Sequence, residues 1–429
     1  MKIKLMNRLE MRNAGWLMGG RIAQMVISFA VNLFTARFLG PSNYGLINYA
    51  ATYISFFMAL CTLGINSVLV KEILDHPKKD GEILGTTLVL RIISSVLSMA
   101  MMLLVVFFID AGEKDTMIVV LLCSFSLIFG SFEIFNFWFQ AYMNSKVTAI
   151  ATFIAYCVTS LYRILLLCFG KSVGYFAFAT SVDYICVALL LGFAYKKHGG
   201  GKLSFSVDCA KRLLKSSYPF ILSGLMISVY AQTDKIMLKQ MLGVTEVGYY
   251  STAVHICSLW GFVITAIIHS LQPSIVEAFK RSEKEFNDLN CKLYAIVFYL
   301  SVILSLITML TSDILIMILY GSDYSPAAAP LRVVVWYTAF SYLGGARDIW
   351  IVCKKKQKYM VLIYGLAAVI NVVLNFVFIP IWGASGAALA SLCTQVFSSI
   401  VLPFIISPLR ENSLLMLDAI SMKLLKRRK

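Results

Sequence analysis

The sequence predicts an all-α integral membrane protein of about twelve transmembrane helices, set in two halves of six. Three observations carry this reading. Of 429 residues, 59% are hydrophobic and only 14% charged, with a mean hydropathy of +0.80, whereas an ordinary soluble domain is about 25% charged. Apolar stretches of ~20 residues, the length that spans a hydrocarbon core, recur along the whole chain. Lysine and arginine fall mostly in alternate connections between those stretches, the positive-inside pattern.

The stretches lie near 14–36, 44–70, 83–109, 116–141, 147–169, 172–195, 213–238, 247–272, 290–319, 329–352, 359–381 and 385–407. Basic Lys2, Lys4, Arg8 and Arg12 precede the first. It is too long for a signal-peptide core and ends without a cleavage-like A-x-A, so it reads as a retained helix. Turn residues mark the joints: Gly40-Pro41, Asp110 to Gly112, Gly321 to Pro326, Pro380 and Pro408.

With the N-terminus placed inside, the cytoplasmic segments hold 28 lysines and arginines. The outer loops hold only Arg37, Lys114, Lys171 and Lys239. Both termini are therefore expected in the cytoplasm. The same distribution explains the net charge of +16 without any nucleic-acid partner. The ten cysteines are scattered, form no C-x-x-C and avoid the outer loops, so they read as reduced thiols.

The longest connection, around Lys196 to Arg212, is rich in glycine and lysine. The expected organisation is an N-terminal lobe over 1–195, a cytoplasmic linker over 196–212 and a C-terminal lobe over 213–410. A basic tail over 411–429 follows, with Leu414, Leu417, Ile420 and Leu424 as the apolar side of an amphipathic helix suited to an anionic leaflet.

An internal repeat supports the two halves. Leu39-Gly40-Pro41-Ser42-Asn43-Tyr44-Gly45 falls opposite Leu242-Gly243-Val244-Thr245-Glu246-Val247-Gly248 at an offset of 203, and a second register of 212 pairs Trp138 with Trp350 and Lys146 with Lys358. Six spans is an even number, so the halves enter the membrane in the same direction. Parallel repeats of this kind are one plan for transporters.

Three segments carry a family resemblance. Ala36 to Gly45 resembles the first outer turn of polysaccharide-repeat-unit flippases of the Wzx type. Thr233-Asp-Lys-Ile-Met-Leu238 with Leu242-Gly243 and Val247 to Tyr250 is similar to their seventh-helix signature. Asn371 to Pro380, followed by Gly383 to Ala390, resembles their eleventh-to-twelfth helix junction. Gly174-Tyr-Phe-Ala177, where the second half has Gly386-Ala-Ala-Leu389, departs from exact pseudo-symmetry.

The resemblance implies the multidrug, oligosaccharidyl-lipid and polysaccharide exporter superfamily. It also implies a V-shaped, two-lobed bundle with a central cavity that flips undecaprenyl-pyrophosphate-linked oligosaccharide between leaflets, without a cofactor. The partners then expected are the lipid-linked oligosaccharide and membrane lipids, with a polysaccharide polymerase and chain-length regulator acting downstream. A lipid II flippase carries the same pyrophosphate head. A cation-coupled multidrug exporter would need an acidic cavity. A membrane glycosyltransferase or polymerase commonly needs a large extramembrane loop, and none is present.

An ionisable side chain within a span costs about 2.5–3.5 kcal/mol on insertion scales and so needs a reason. Arg21, Arg163 and Lys235, with Arg91 nearer an inner end, are the candidates for a cationic cavity that meets a pyrophosphate, and each could instead pair with an acid or snorkel. Arg332 and Arg347 read as structural. Asp183, Glu133 and Asp234 are the candidates for proton or sodium coupling, or for neutralising the cations. Trp260 and Trp336 could stack on sugar rings or pack in the core. His255 and His269 have no second ligand at metal spacing, and no metal site is expected.

Overall fold

The computed structural model describes residues 8–421, with side chains described from Gln24 onward apart from residues 223 and 230. The described residues are helical throughout, without strands. The helices are α1 (Arg8–Cys61), α2 (Asn66–Asp75), α3 (Asp80–Ile109), α4 (Lys114–Phe129), α5 (Ile134–Ala141), α6 (Ser145–Cys168) and α7 (Val173–Lys197). They continue with α8 (Val207–Leu242), α9 (Val244–Arg281), α10 (Glu283–Leu319), α11 (Ala328–Cys353), α12 (Lys358–Val396), α13 (Leu402–Ile405) and α14 (Arg410–Ile420).

Two of these hold a pair of spans each. In α1 the helical path breaks at Gly40 (φ 71°, ψ 171°), and Pro41 then opens the next helix, where its fixed φ and missing N–H cost nothing. In α12 the break is Gly383 (φ 56°). The carboxylate of Glu246 accepts from the Ala384 N–H at 2.8 Å and caps the new start. Eight stretches among the described residues are each long and apolar enough to cross a membrane, and two of them span these breaks. With α8 and α11 they account for the expected crossings.

Contacts divide the chain into two compact units: residues up to Leu39 with Leu46–Ser228, and Gly40–Gly45 with Val229–Lys429. The first half of α8 thus groups with the first unit, later than the 196–212 linker expected from composition. The linker is tied down there. The Tyr195 hydroxyl donates to the Gly201 carbonyl at 2.8 Å, the Ser206 N–H donates to Thr86, and Arg212 pairs with Glu72.

In the first unit, α3 is sorted into two faces. Thr87, Arg91, Ser95, Ser98 and Met102 are buried, while Ile93, Leu97, Leu104 and Phe108 are exposed. In the second unit, α10 buries Ser301, Ser305, Thr308 and Ser312, each fully, and exposes Ile303, Leu306, Leu310 and Ile314. The inward stripe of small polar residues at helical spacing is how helices approach closely in lipid, where apolar side chains gain nothing by turning inward.

The two copies of the sequence repeat meet within the second unit. A Cβ on Gly45 would lie 1.9 Å from the Val244 carbonyl oxygen, and one on Gly248 would lie 2.1 Å from the Pro41 carbonyl oxygen. Positions 41 and 45 are thus matched with 248 and 244, a reciprocal crossing that only glycine admits.

The tail helix α14 buries Asn412, Ser413, Met416 and Ala419. It is fixed to α10 by Asn412 Nδ2 donating to the Tyr294 hydroxyl at 2.6 Å and by the Tyr299 hydroxyl donating to the Ile420 carbonyl. The expected lipid-facing residues Leu414 and Leu417 remain exposed, whereas Ile420 is half-buried. Leu424 lies outside the described residues.

Candidate functional site

The most organised polar cluster of the second unit surrounds Asp234 in α8. Its Oδ1 accepts from Asn371 and Asn375 Nδ2 at 3.0 and 2.6 Å. Its Oδ2 accepts from the Tyr250 hydroxyl at 2.6 Å and from the Ser391 hydroxyl. Asn375 Nδ2 also donates to Asn371 Oδ1 at 3.0 Å, and Asn375 Oδ1 is buried without a partner. Asp234 is 5% exposed, and it makes no ion pair among the described residues. Four donors take the place of its hydration shell.

Lys235 is next in the chain, about 100° further round the helix, and lies within electrostatic reach of Asp234. It makes no hydrogen bond or ion pair among the described residues. Instead it lines a cavity of about 230 Å³ with Asp234, Tyr250, Tyr337, Tyr342 and Ser391. An ammonium group whose three donors have no partner among the described residues therefore lines a mainly apolar cavity with hydroxyls and a carboxylate in its wall.

The first unit treats its charges differently. Arg91 is fully buried, and its guanidinium donates to Asn66 Oδ1 and to the Gly130 carbonyl, each at 3.2 Å. That carbonyl is available because Gly130–Glu133 is a 3₁₀ segment between α4 and α5. Glu133 lies within electrostatic reach of Arg91. The placement of Arg91 in a cavity is thus corrected: its side chain braces a helix break.

Arg163 donates to Asn32 Oδ1 at 3.0 Å and lies within electrostatic reach of Asp183, which accepts from Thr159 at 3.3 Å. Arg21 falls in α1, and its side chain lies outside the described residues. Of the four cations expected to meet the cargo, only Lys235 lines one of the cavities described here.

Neither tryptophan singled out from the sequence lines either of the two cavities described here. Trp336 donates to the Met309 sulfur at 3.3 Å, and Trp260 holds its indole N–H buried without a partner. Arg332 pairs with Asp313, while Arg347 pairs with Asp348 and donates to the Ser398 carbonyl at 2.8 Å. His255 contacts the Tyr320 hydroxyl at 3.3 Å, and no cluster among the described residues could hold a metal ion. All ten cysteines are free.

A second cavity, of about 530 Å³, lies in the first unit between α1, α4, α7 and α8, and no charged side chain among the described residues lines it. Sequence reasoning missed it, along with Tyr250, Asn371, Asn375 and Ser391. The one available signal for the polar cluster was a pair of asparagines four residues apart in an otherwise apolar span.

Helices of this length and apolarity, sorted with polar residues inward and carrying a charged cavity at span depth, define a multispan membrane transporter. The sequence pattern of the polysaccharide biosynthesis protein family matches residues 11–279, and the chain belongs to that family. It is 20% identical to the capsular polysaccharide biosynthesis protein CapF of Staphylococcus aureus, over 90% of this chain and 96% of the relative. It is 21% identical to a candidate O-antigen transporter of Escherichia coli (strain K12), over 89% and 92%. Its fold is similar to that of the lipid II flippase MurJ (TM-score 0.73, 14% identity, 95% of this chain and 91% of that one). It is also similar to an inward-facing multidrug transporter of the MATE family (TM-score 0.67, 15% identity, 91% and 96%). The twelve-helix plan of the multidrug, oligosaccharidyl-lipid and polysaccharide exporter superfamily is the plan of this protein.

Proposed function

We propose that the protein moves polyprenyl-pyrophosphate-linked oligosaccharide units from the inner to the outer leaflet of the bacterial cytoplasmic membrane, for surface polysaccharide assembly. Both termini face the cytoplasm in this reading. The two halves expose the cargo site alternately to either side, and the polyprenyl tail stays in lipid. A polymerase with its chain-length regulator would take up the emerging unit. Family membership supports a role in polysaccharide synthesis. The observation that carries the reading is Lys235, a cation that makes no hydrogen bond or close ion pair among the described residues and lines a cavity within a span. A desolvated ammonium there gains most by meeting an anion such as a phosphate group.

Asp234 suits the coupling role, ahead of Asp183 and Glu133. It sits on α8 and its four donors on α9 and both halves of α12, so a proton or sodium ion that displaced them would alter the packing of three helices. The oxygens of Asp234, Asn371, Asn375 and Ser391 are hard donors of the kind alkali cations take.

The test is deletion in the native host, followed by analysis of lipid-linked intermediates. Full-length repeat units should accumulate on the inner leaflet, and Lys235→Gln should restore less than a tenth of polymer output at unchanged membrane abundance. Accumulation of truncated units would replace this reading with a transferase, and full restoration by Lys235→Gln would remove Lys235 from the site. Asp234→Asn should leave residual transport that no longer responds to a sodium or proton gradient. A preserved response would move coupling to another carboxylate.

A further inference from the structure

The cavity of the first unit differs in chemistry from that of the second. It holds about 530 Å³, within the ~300–1,000 Å³ of small-molecule sites. Among the described residues, the charged groups within the unit's spans, Arg91, Arg163, Glu133 and Asp183, do not line it. Arg91 is spent on Asn66 and Gly130, and Arg163 on Asn32.

What does line it is a set of uncharged hydroxyls on an apolar wall. Thr180 and Tyr184 come from α7, Ser228 from α8, and Ile54 and Met58 supply apolar surface from α1. Thr180, Tyr184 and Ser228 make no hydrogen bond to protein among the described residues. Gly224 leaves the α8 side open, since a Cβ there would meet only Ala59, at an ordinary 3.8 Å.

We infer that this cavity is a subsite for uncharged sugar residues of the cargo, with Thr180, Tyr184 and Ser228 as its hydrogen-bonding groups. The inference rests on the transport reading above and adds to it a second place of recognition, separate from Lys235. A pyranose ring presents hydroxyls at its edge and C–H groups on its faces, which matches hydroxyls set among an aromatic ring and aliphatic groups. A prenyl or acyl chain in the same space would leave three hydroxyls desolvated and unpaired, an arrangement proteins avoid. A phosphate or uronate would find no cation among the described lining residues. The volume admits more than one sugar ring.

The experiment uses the full chain in proteoliposomes with two probes: undecaprenyl pyrophosphate bearing one N-acetylglucosamine, and the same lipid bearing the native repeat unit. The Thr180→Val/Tyr184→Phe double variant removes hydroxyls at nearly constant volume, and Gly224→Leu fills the space. Each should weaken half-saturation for the repeat-unit lipid tenfold or more and leave the single-sugar lipid within twofold. Lys235→Gln should weaken both alike. Equal effects of the cavity variants on both lipids, or none on either, would overturn the subsite. Binding of the released, lipid-free oligosaccharide is measured in parallel by saturation-transfer NMR. If wild type binds it and the double variant does not, while neither lipid is translocated, the transport reading falls and the sugar site stands. If wild type does not bind it, the subsite falls whatever the transport result.

Discussion

Substituting Gly45 by alanine tests whether the crossing of the two repeat turns holds the second unit together. The new Cβ would sit 1.9 Å from the Val244 carbonyl oxygen, where real contacts do not fall below 3.0 Å. The two backbones must therefore part by roughly 1 Å. Overpacking of this kind costs about 1–3 kcal/mol, and a backbone carbonyl that cannot rotate aside places the cost at the upper end. Alanine returns roughly 0.5–1 kcal/mol over glycine in a helix, so the net loss is about 2 kcal/mol. Gly248→Ala, with its Cβ 2.1 Å from the Pro41 carbonyl oxygen, should lose a similar amount. One separation relieves both clashes while both alanines return their helical gain, so the double variant should lose about 1–2 kcal/mol, well below the sum. Gly345, with nothing within 4 Å of its Cβ position, is the control and should be neutral or slightly stabilised as alanine. Equilibrium unfolding in mixed detergent micelles, followed by tryptophan fluorescence, reads all four. A Gly45→Ala protein within about 0.5 kcal/mol of wild type, or losses that simply add, would refute the reasoning.

Arg91→Leu leaves the Gly130 carbonyl and Glu133 without their cation and should destabilise by about 3–5 kcal/mol, as breaking a buried charge network does. Fluorescence-detected gel filtration should show loss of the monodisperse peak, and a well-folded variant that fails only in transport would return Arg91 to the cargo. Lys354 pairs with Glu283 and holds its carboxyl below the usual range. A carboxyl depressed in the folded state contributes stability above its unfolded pKa and loses it as pH falls through the lower folded value. Hydrogen exchange in α14, which Glu411 ties to the same lysine at 4.0 Å, should therefore quicken at pH 4 relative to pH 7 beyond the intrinsic change. Lys354→Gln should remove that difference, and its persistence would dissociate the pair from the tail.

The spans were legible because hydrocarbon imposes a length and an apolarity that few other environments demand, and Gly40-Pro41 announces its break in two residues. The crossing was half legible. The repeat at offset 203 showed that the turns are copies, and nothing in either copy said that they touch. Asp234 stood out as an acid in a span, yet its partners lie 16 to 157 residues away and are unremarkable singly. Arg91 was legible as a cost without a recipient, since the Gly130 carbonyl becomes free only where α4 gives way to a 3₁₀ segment. The tail helix was read by its leucines, whereas Asn412 and Ser413 are what docks.

The matched contacts of residues 41 and 45 with 248 and 244 tie two distant stretches of coding sequence to one spatial constraint. A chain of half this length, meeting a second copy of itself, would make the same contact twice through one glycine, so that a single mutation would wound both sides at once. Joining the copies end to end lets each be altered alone. Drift at either glycine is still answerable to a carbonyl roughly two hundred positions away.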